Sequence, residues 1–173
     1  MSGPVCVLVG PPGAGKTTVG RLVAALLGVP FRDTDGDVEQ RAGKPVPDIF
    51  FDDGEPAFRA LERAAVTVAL AEHTGVLALG GGAVLDEDTR AALRGRPVIA
   101  LAVSLHDATR RVGWGPGRPL LDLNPRARLS ELMAQRQPLY AEVALAQVDT
   151  SGRAPDDVAA EVVERLAAVT VRP

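Results

Sequence analysis

Cysteine, lysine and aromatic residues are rare in this chain. Its 173 residues include one cysteine, two lysines against seventeen arginines, and 3% aromatic residues. A single cysteine, Cys6, excludes an internal disulfide, and its apolar neighbours predict a buried side chain rather than a nucleophile. Because lysine is so rare in this chain, Lys16 and Lys44 each need a specific explanation.

The chain also lacks a long apolar run and an excess of basic residues. No segment approaches the ~20 consecutive apolar residues of a membrane helix, and the first ten residues lack the pattern of a signal peptide. With 19 basic and 22 acidic residues, the net charge of -3 disfavours a nucleic-acid partner. We therefore expect a cytoplasmic protein without membrane or nucleic-acid partners. In the absence of heptad repeats, we expect a monomer.

What is present is an alternation of short apolar runs with segments of helical period, which predicts an α/β fold around a mostly parallel sheet. The length and the 46% hydrophobic content fit one domain, residues 1–173. The predicted strands cover residues 5–9, 31–33, 76–79, 98–103 and 145–148, and the clearest helices cover 19–27, 55–72, 86–93, 124–137 and 154 onward. Residues 33–53 and 113–124 do not fit this pattern, so we predict that they are excursions from the core.

The most specific motif is G-x-x-x-x-G-K-T at residues 10–17, between a buried strand and an amphipathic helix. Its glycines allow backbone N–H groups to face phosphate oxygens, and the following helix adds its positive N-terminal end. Lys16 is expected to reach the β- and γ-phosphates, and the Thr17 hydroxyl to bind Mg²⁺. The motif predicts a triphosphate site, although a glycine-rich turn without a ligand is the alternative.

Many proteins with such a phosphate loop place a metal-organising aspartate at the end of a neighbouring apolar strand. The third and fourth strands end in glycine and in Ser104, which leaves Asp33 and Asp35 as the candidate carboxylates. If residues 33–35 are extended, both side chains point the same way and can serve a metal and a substrate side by side. The alternative is that they cap a helix.

Several further residues are candidates for an acceptor site. Arg59 could bind an anion or pair with Glu62 on the same helix. The glycines at 80–82 would allow a ligand close to the backbone, or form a tight turn. Residues 113–120, with Arg118 near their end, could be a lid that closes over the reacting phosphate or a disordered loop. Arg136 could bind an acid or cap the end of its helix.

Together these motifs resemble the shikimate kinase family over nearly the whole chain. The resemblance rests on the loop at 10–17, Asp33-Thr34-Asp35, Phe58-Arg59 with Glu62, the glycines at 80–82, Arg118-Pro119-Leu120, and Arg136 followed by Pro138-Leu139-Tyr140. It implies a P-loop fold like that of nucleoside monophosphate kinases, a three-layer α/β/α structure with a five-stranded parallel sheet. It also implies a substrate-binding excursion at about residues 33–62 and a lid at about 113–124.

The resemblance implies roles for individual residues. Lys16, Asp35 and Arg118 would be catalytic, and Thr17 and Asp33 would organise Mg²⁺. Shikimate would contact Asp35, Arg59, Gly80, Gly81, Gly82 and Arg136. ATP would contact Gly13, Ala14, Gly15, Lys16, Thr17, Thr18, Arg111, Arg118, Arg153 and Pro155. The expected reaction is ATP-dependent phosphorylation of the shikimate 3-hydroxyl. A kinase of another small acid, such as gluconate, and a nucleotide-binding regulator without transfer activity remain alternatives.

Overall fold

A five-stranded parallel sheet with helices on both faces forms the centre of the molecule. The computed structural model describes residues 3–112 and 124–171. The strands are β1 (Cys6–Val9), β2 (Phe31–Asp33), β3 (Val76–Ala78), β4 (Val98–Ala102) and β5 (Ala146–Asp149). They lie in the order β2-β3-β1-β4-β5, and each neighbouring pair is parallel. The predicted α/β architecture is confirmed.

Helices cover both faces of this sheet. They are α1 (Lys16–Leu27), α2 (Thr34–Ala42), α3 (Val46–Asp53), α4 (Glu55–Glu72), α5 (Glu87–Leu93), α6 (Leu105–Val112), α7 (Pro125–Val143) and α8 (Pro155–Thr170), with a 3-10 turn at Ala83–Leu85. In the described part of the chain, no helix is long and apolar enough to cross a membrane.

The alternation of side chains along β1 divides the core between the two faces. Leu8 packs with residues of α1 and α8, whereas Val7 and Val9 pack with residues of α4, α5 and α7. Cys6 is fully buried on the first of these faces, as predicted. Burial raises the pKa of its thiol to about 12, so little reactive thiolate forms at neutral pH.

The predicted excursion after β2 contains two short helices that pack on α4. Val38 of α2, Ile49 of α3 and Phe58 of α4 form a small apolar cluster of their own. Gly43 ends α2 with a left-handed backbone (φ 70°), and Pro45 precedes α3. Gly43 and Pro45 therefore divide this region into two short helices, while the assignment of the region to substrate binding stays a prediction.

Two helices differ from the sequence prediction. Helix α7 does not end near Gln137 but continues through Pro138 to Val143, because Tyr140 and Val143 bury their side chains in the core. Asn124 occupies the N-cap position of this helix but makes no side-chain hydrogen bond there. Helix α6 was not among the predicted helices. Its signal is local, since the Asp107 backbone N–H donates to Ser104 Oγ (3.2 Å).

The strand order brings the candidate site residues together at the carboxyl ends of the strands, at one edge of the sheet. The loop after β1 lies at the centre, and the ends of β2 and β3 lie beside it on one side. The end of β5 lies on the other side, next to β4. In open parallel sheets, ligands bind outside the carboxyl ends of the strands. Residues far apart in the chain are thereby brought to one cleft.

Candidate active site

The loop at residues 10–17 connects β1 to α1 and can exist only with glycine at specific positions. Gly13 has a left-handed backbone (φ 80°), and a Cβ there would lie 2.9 Å from the Ala108 carbonyl oxygen. Any larger residue would therefore strain the turn and clash with α6. Lys16 Nζ donates to the carbonyl oxygens of Gly10 (2.7 Å) and Pro11 (3.1 Å), which holds the ammonium group over the loop.

Thr17 and Asp33 are in direct contact across the cleft. Thr17 Oγ1 donates to Asp33 Oδ2 (2.8 Å), while Asp33 Oδ1 accepts a hydrogen bond from the Asp35 backbone N–H (2.9 Å). Asp33 is thus the N-cap of α2, and Asp35 lies in the first turn of that helix. The predicted extended arrangement of residues 33–35 is wrong, because the alternative, a helix cap, is what forms. The carboxylates nevertheless reach one cavity.

This cavity lies between the phosphate loop and the end of β3. Its volume is about 440 Å³, and it is lined both by residues expected to bind ATP and by residues expected to bind the acceptor. The lining residues are Pro12, Gly13, Gly15, Lys16, Thr17, Thr18, Asp33, Asp35, Leu79, Gly81 and Arg111.

The oxygen atoms of Thr17 and Asp33 fit a magnesium site with few protein ligands. Over residues 3–112 and 124–171, no group of three or more His, Cys, Asp or Glu side chains is placed to hold a metal ion. Mg²⁺, however, is usually held by one or two side chains, phosphate oxygens and water. A hydroxyl and a carboxylate 2.8 Å apart beside a phosphate loop are donors of this kind.

Asp35 has an unusual electrostatic environment. Burial raises its pKa to about 6, and the nearby carboxylates of Asp33 and Glu62 add to the rise, while the charge of Lys16 opposes it. A carboxylate with a pKa near neutrality can accept a proton more readily than an ordinary aspartate. Perturbed ionisable groups of this kind are typical of catalytic sites.

Arg59 lies beyond Asp35 and is held by two carboxylates of its own helix, α4. Its Nη1 donates to Glu62 Oε1 (2.7 Å), and its Nη2 lies 3.4 Å from Glu55 Oε1. The ion pair predicted as the alternative role of Arg59 does form. Burial raises the pKa of Glu62, and the charge and hydrogen bond of Arg59 oppose that rise. The guanidinium packs against Gly82 so closely that a Cβ there would collide with it.

Arg136 lies in the interior of α7 and is only 6% exposed. The alternative explanation, that it caps the end of its helix, is therefore wrong. Burial lowers the pKa of this guanidinium, and the charge of Arg59 adds to the decrease. Arg136 also lines a cavity of about 190 Å³ together with Glu55, Leu85, Arg128, Glu131, Leu132 and Gln135. The guanidinium groups of Arg136 and the nearby Arg59 repel each other, so an anion bound between them would be stabilised.

A separate cavity of about 310 Å³ lies on the other side of the phosphate loop, between α6, α8 and the turn after β5. Arg111 connects these elements, since its Nη2 donates to the Thr150 carbonyl oxygen (2.8 Å) and its Nη1 to that of Gly13 (3.2 Å). Three predicted ATP contacts, Arg111, Arg153 and Pro155, line this cavity, and so do Ala14, Gly15, Thr18, Val19, Arg110, Thr150 and Val158.

The structure brings together most predicted site residues at the sheet edge, but the predictions for residues 113–123 lie outside the described residues. They concern the lid and Arg118. Sequence reasoning gave no role to Thr34 and Tyr140, whose hydroxyls bond to the backbone of the glycine run. Both belong to motifs, but their contacts are 46 and 59 residues distant in sequence, and no local signal records them.

Comparison with known proteins gives one consistent family. The family model for shikimate kinase matches residues 12–167. The shikimate kinase of Salinispora arenicola is 66% identical over 165 residues, which cover 95% of this chain and 99% of that protein. A solved shikimate kinase from Acinetobacter baumannii, in complex with shikimate, matches with a TM-score of 0.93 at 36% identity, over 99% of this chain and 97% of that one.

These likenesses confirm the predicted fold, a P-loop structure of the nucleoside-monophosphate-kinase type. A gluconokinase from Sinorhizobium meliloti is similar at a TM-score of 0.56 and 21% identity, over 95% of this chain and 91% of that one, which shows a shared fold alone. The match to the shikimate kinase family model and the 66% identity to the Salinispora arenicola shikimate kinase are far more specific evidence for one family. The chain belongs to the shikimate kinase family.

Proposed function

We propose that this family member transfers the γ-phosphoryl group of ATP to the 3-hydroxyl of shikimate, giving shikimate 3-phosphate for the chorismate and aromatic amino-acid pathway. The observation that carries the proposal is the juxtaposition of a triphosphate loop, a carboxylate with a raised pKa, the partly buried Arg59 and the buried Arg136. The phosphate loop and Asp35 line one cavity, and Arg136 lines a second one. The 66% identity to a shikimate kinase supports the choice of acid.

On the donor side, the loop and α1 bind the triphosphate. Lys16 places its charge by the β- and γ-phosphates, and the backbone of the loop, with Thr18, surrounds their oxygens. The residues proposed to contact the phosphates are Gly13, Ala14, Gly15, Lys16, Thr17 and Thr18. The cavity at Arg111, Arg153 and Pro155 takes the adenine, because it adjoins the loop and combines apolar surface with guanidinium planes.

Thr17 and Asp33 would hold Mg²⁺ with their hydroxyl and carboxylate oxygens. When bound, the ion neutralises charge on the phosphate oxygens during transfer. The hydrogen bond from Asp35 N–H fixes Asp33, and Asp33 in turn accepts from Thr17, so the two donors are oriented before any ligand arrives.

On the acceptor side, Asp35 orients the attacking hydroxyl and accepts its proton. Arg59 and Arg136 bind the carboxylate of shikimate, and the glycines at 80–82 line its ring. Two guanidinium groups suit a carboxylate, and the absence of Cβ atoms from the glycine run lets the ring approach the backbone. Arg118 is proposed to reach the transferring phosphate, but it lies outside the described residues.

The transfer reaction depends mainly on the alignment of the attacking hydroxyl with the γ-phosphate. Phosphoryl transfer passes through a loose transition state, so charge neutralisation and an in-line geometry matter more than early removal of the proton. Lys16 supplies a positive charge at the phosphates, and Asp35 holds the hydroxyl in line. With a pKa of about 6, Asp35 is mainly ionised at neutral pH and can take up the proton as the new bond forms.

The test is ADP release from the purified protein with Mg-ATP in the presence of shikimate, gluconate, a nucleoside monophosphate or no acceptor. Acceleration by shikimate alone, with shikimate 3-phosphate as the product, is the expected outcome. Acceleration by gluconate instead would favour the other small-acid kinase. Bound ATP without turnover with any acceptor would favour a regulator and would contradict the proposal.

The surroundings of the protein are also part of the proposal. Because ATP is the phosphoryl donor, we place the reaction in the cytoplasm. A monomer without nucleic-acid partners stays a prediction that rests on the net charge of -3 and the lack of heptads.

A further inference from the structure

Tyr140 connects α7 to the glycine run of the acceptor site. Its hydroxyl donates to the Gly81 carbonyl oxygen at 2.6 Å, and the side chain is only 3% exposed. The aromatic ring packs in the core on the face of the sheet that also holds Leu79 and Val143. The hydroxyl is therefore the part of Tyr140 that has a role beyond packing.

The same hydroxyl interacts with Arg136, which lies one helical turn earlier on α7. A tyrosine hydroxyl has one hydrogen to donate and lone pairs to accept. Since its hydrogen is directed to Gly81, it can only accept from the guanidinium. A chain of two hydrogen bonds thus runs from Arg136 through Tyr140 to Gly81.

Tyr140 is a neutral partner, and the nearby carboxylate of Glu62 is the group that stabilises the charge of Arg136. Over residues 3–112 and 124–171, Arg136 takes part in no ion pair, whereas Arg59 is paired with Glu62 at 2.7 Å. Burial raises the pKa of Tyr140 to about 12, so its hydroxyl stays protonated at physiological pH and keeps donating to Gly81. Within the described residues, Arg136 is therefore oriented by a neutral hydroxyl rather than by a direct ion pair.

We propose that Tyr140 is a positioning residue for the acceptor carboxylate: it fixes the Arg136 guanidinium relative to the glycine run that lines the ring. This inference rests on the proposed function, in which Arg136 binds the carboxylate of shikimate. The role is distinct from catalysis, since Tyr140 contacts Arg136 and Gly81 and acts through them.

The test is the variant Tyr140→Phe, which keeps the ring and removes only the hydroxyl. We expect the KM for shikimate to rise about threefold to tenfold, which corresponds to the loss of one hydrogen bond. The kcat and the KM for ATP should stay within about twofold of the wild-type values. The contacts to the carboxylate stabilise the bound substrate and the transition state about equally, so their loss weakens binding without slowing the transfer step. In an Arg136→Ala background, the same change should have almost no further effect on the KM.

Val143→Ala is the matched control for lost packing. Val143 lies on the same helix, 5% exposed in the same apolar cluster as Tyr140. We expect Val143→Ala to lower the melting temperature and to leave the KM for shikimate unchanged. The inference is overturned if Tyr140→Phe leaves that KM unchanged, if Val143→Ala raises it equally, or if the effect persists in full without Arg136. Wild-type protein that does not phosphorylate shikimate would instead overturn the proposed function, and this inference with it.

Discussion

The donor half and the acceptor half of the cleft are built in different ways. The phosphate loop is one continuous stretch, residues 10–17, and its shape depends on glycine backbone conformations such as φ 80° at Gly13. The acceptor half is assembled from four separate segments, with Asp35 on α2, Arg59 on α4, the glycines at 80–82, and Arg136 on α7. One half is local in sequence, and the other exists only after folding.

The two halves also use charge differently. The donor half places one lysine over the loop, with backbone groups and the end of α1 to complete the anion site. The acceptor half instead buries ionisable side chains close together, and burial shifts the pKa values of Asp35, Glu62 and Arg136. This difference predicts that donor-side changes lower turnover, whereas changes to the carboxylate grip weaken acceptor binding.

The largest effect is expected for Lys16→Ala. Loss of the ammonium group removes positive charge where negative charge develops during transfer, so kcat should fall about a thousandfold. The control is Lys44→Ala, since Lys44 is the only other lysine and pairs with Asp52 and Asp53 at the surface. A steady-state assay should show Lys44→Ala within about twofold of wild type. Equal losses in both variants would refute a specific role of Lys16.

The next effect is expected for Asp35→Asn, which removes the proton acceptor and keeps the shape. We expect kcat to fall about a hundredfold, at the low end for a general base because the loose transition state needs little early proton removal. Asp37→Asn is the control, since Asp37 lies on the same helix but pairs with Arg32 at 2.7 Å. Normal turnover in Asp35→Asn would exclude the proposed role.

The pH dependence gives a second readout for Asp35. Its pKa is raised to about 6 in the folded protein, so the ionised form is lost as the pH falls through 6. The wild-type kcat/KM should therefore decrease about tenfold per pH unit below 6, and this decrease should be absent from the residual activity of Asp35→Asn. Because a raised carboxyl pKa destabilises the fold at pH values above it, Asp35→Asn should be at least as stable as wild type at pH 8.

Arg136→Ala tests the acceptor half directly. The KM for shikimate should rise about tenfold to a hundredfold, which corresponds to the ~1.5–3 kcal/mol of a hydrogen bond to a charged group. The KM for ATP should not change. Arg165→Ala is the control, because Arg165 is a half-exposed arginine of α8 that pairs with Glu161 at 3.3 Å and does not line the cavity at Arg136. A pure loss of kcat in Arg136→Ala would place Arg136 in the transfer step instead.

The contrast between the halves also explains what could be predicted from the sequence. The phosphate loop, the five strands and α4 follow from local patterns, since glycine spacing and apolar runs act within a few residues. The end of α7 does not, because the burial of Tyr140 and Val143 outweighs the effect of Pro138 inside the helix. The extended form of residues 33–35 is wrong for a different, local reason: Asp33 caps α2 and begins a helix there, which was the alternative interpretation of these residues.

The acceptor residues were found only because they form a pattern shared with a known family. Arg59 and Arg136 lie on different helices, and their burial near each other depends on how α4 and α7 pack. No spacing rule joins positions 77 residues apart. Thr34 and Tyr140 were in the quoted motifs without a role, because hydrogen bonds to a distant backbone leave no mark in composition or periodicity.

Thr34 gives the smallest predicted effect and the sharpest comparison with Tyr140. It is fully buried, and its Oγ1 accepts from the Gly80 N–H (3.2 Å), so it joins the start of α2 to the glycine run. Thr34→Val keeps the shape and leaves that N–H unpaired, which should shift Asp35 and lower kcat about threefold to tenfold, with a smaller change in the KM for shikimate. Thr34→Ser should restore kcat, and Thr67→Val, at an exposed helix position, should leave it unchanged. If Thr34→Val raised the KM as Tyr140→Phe is expected to do, the glycine run would act as one unit, and the separation into a hydroxyl-orienting and a carboxylate-binding side would be wrong.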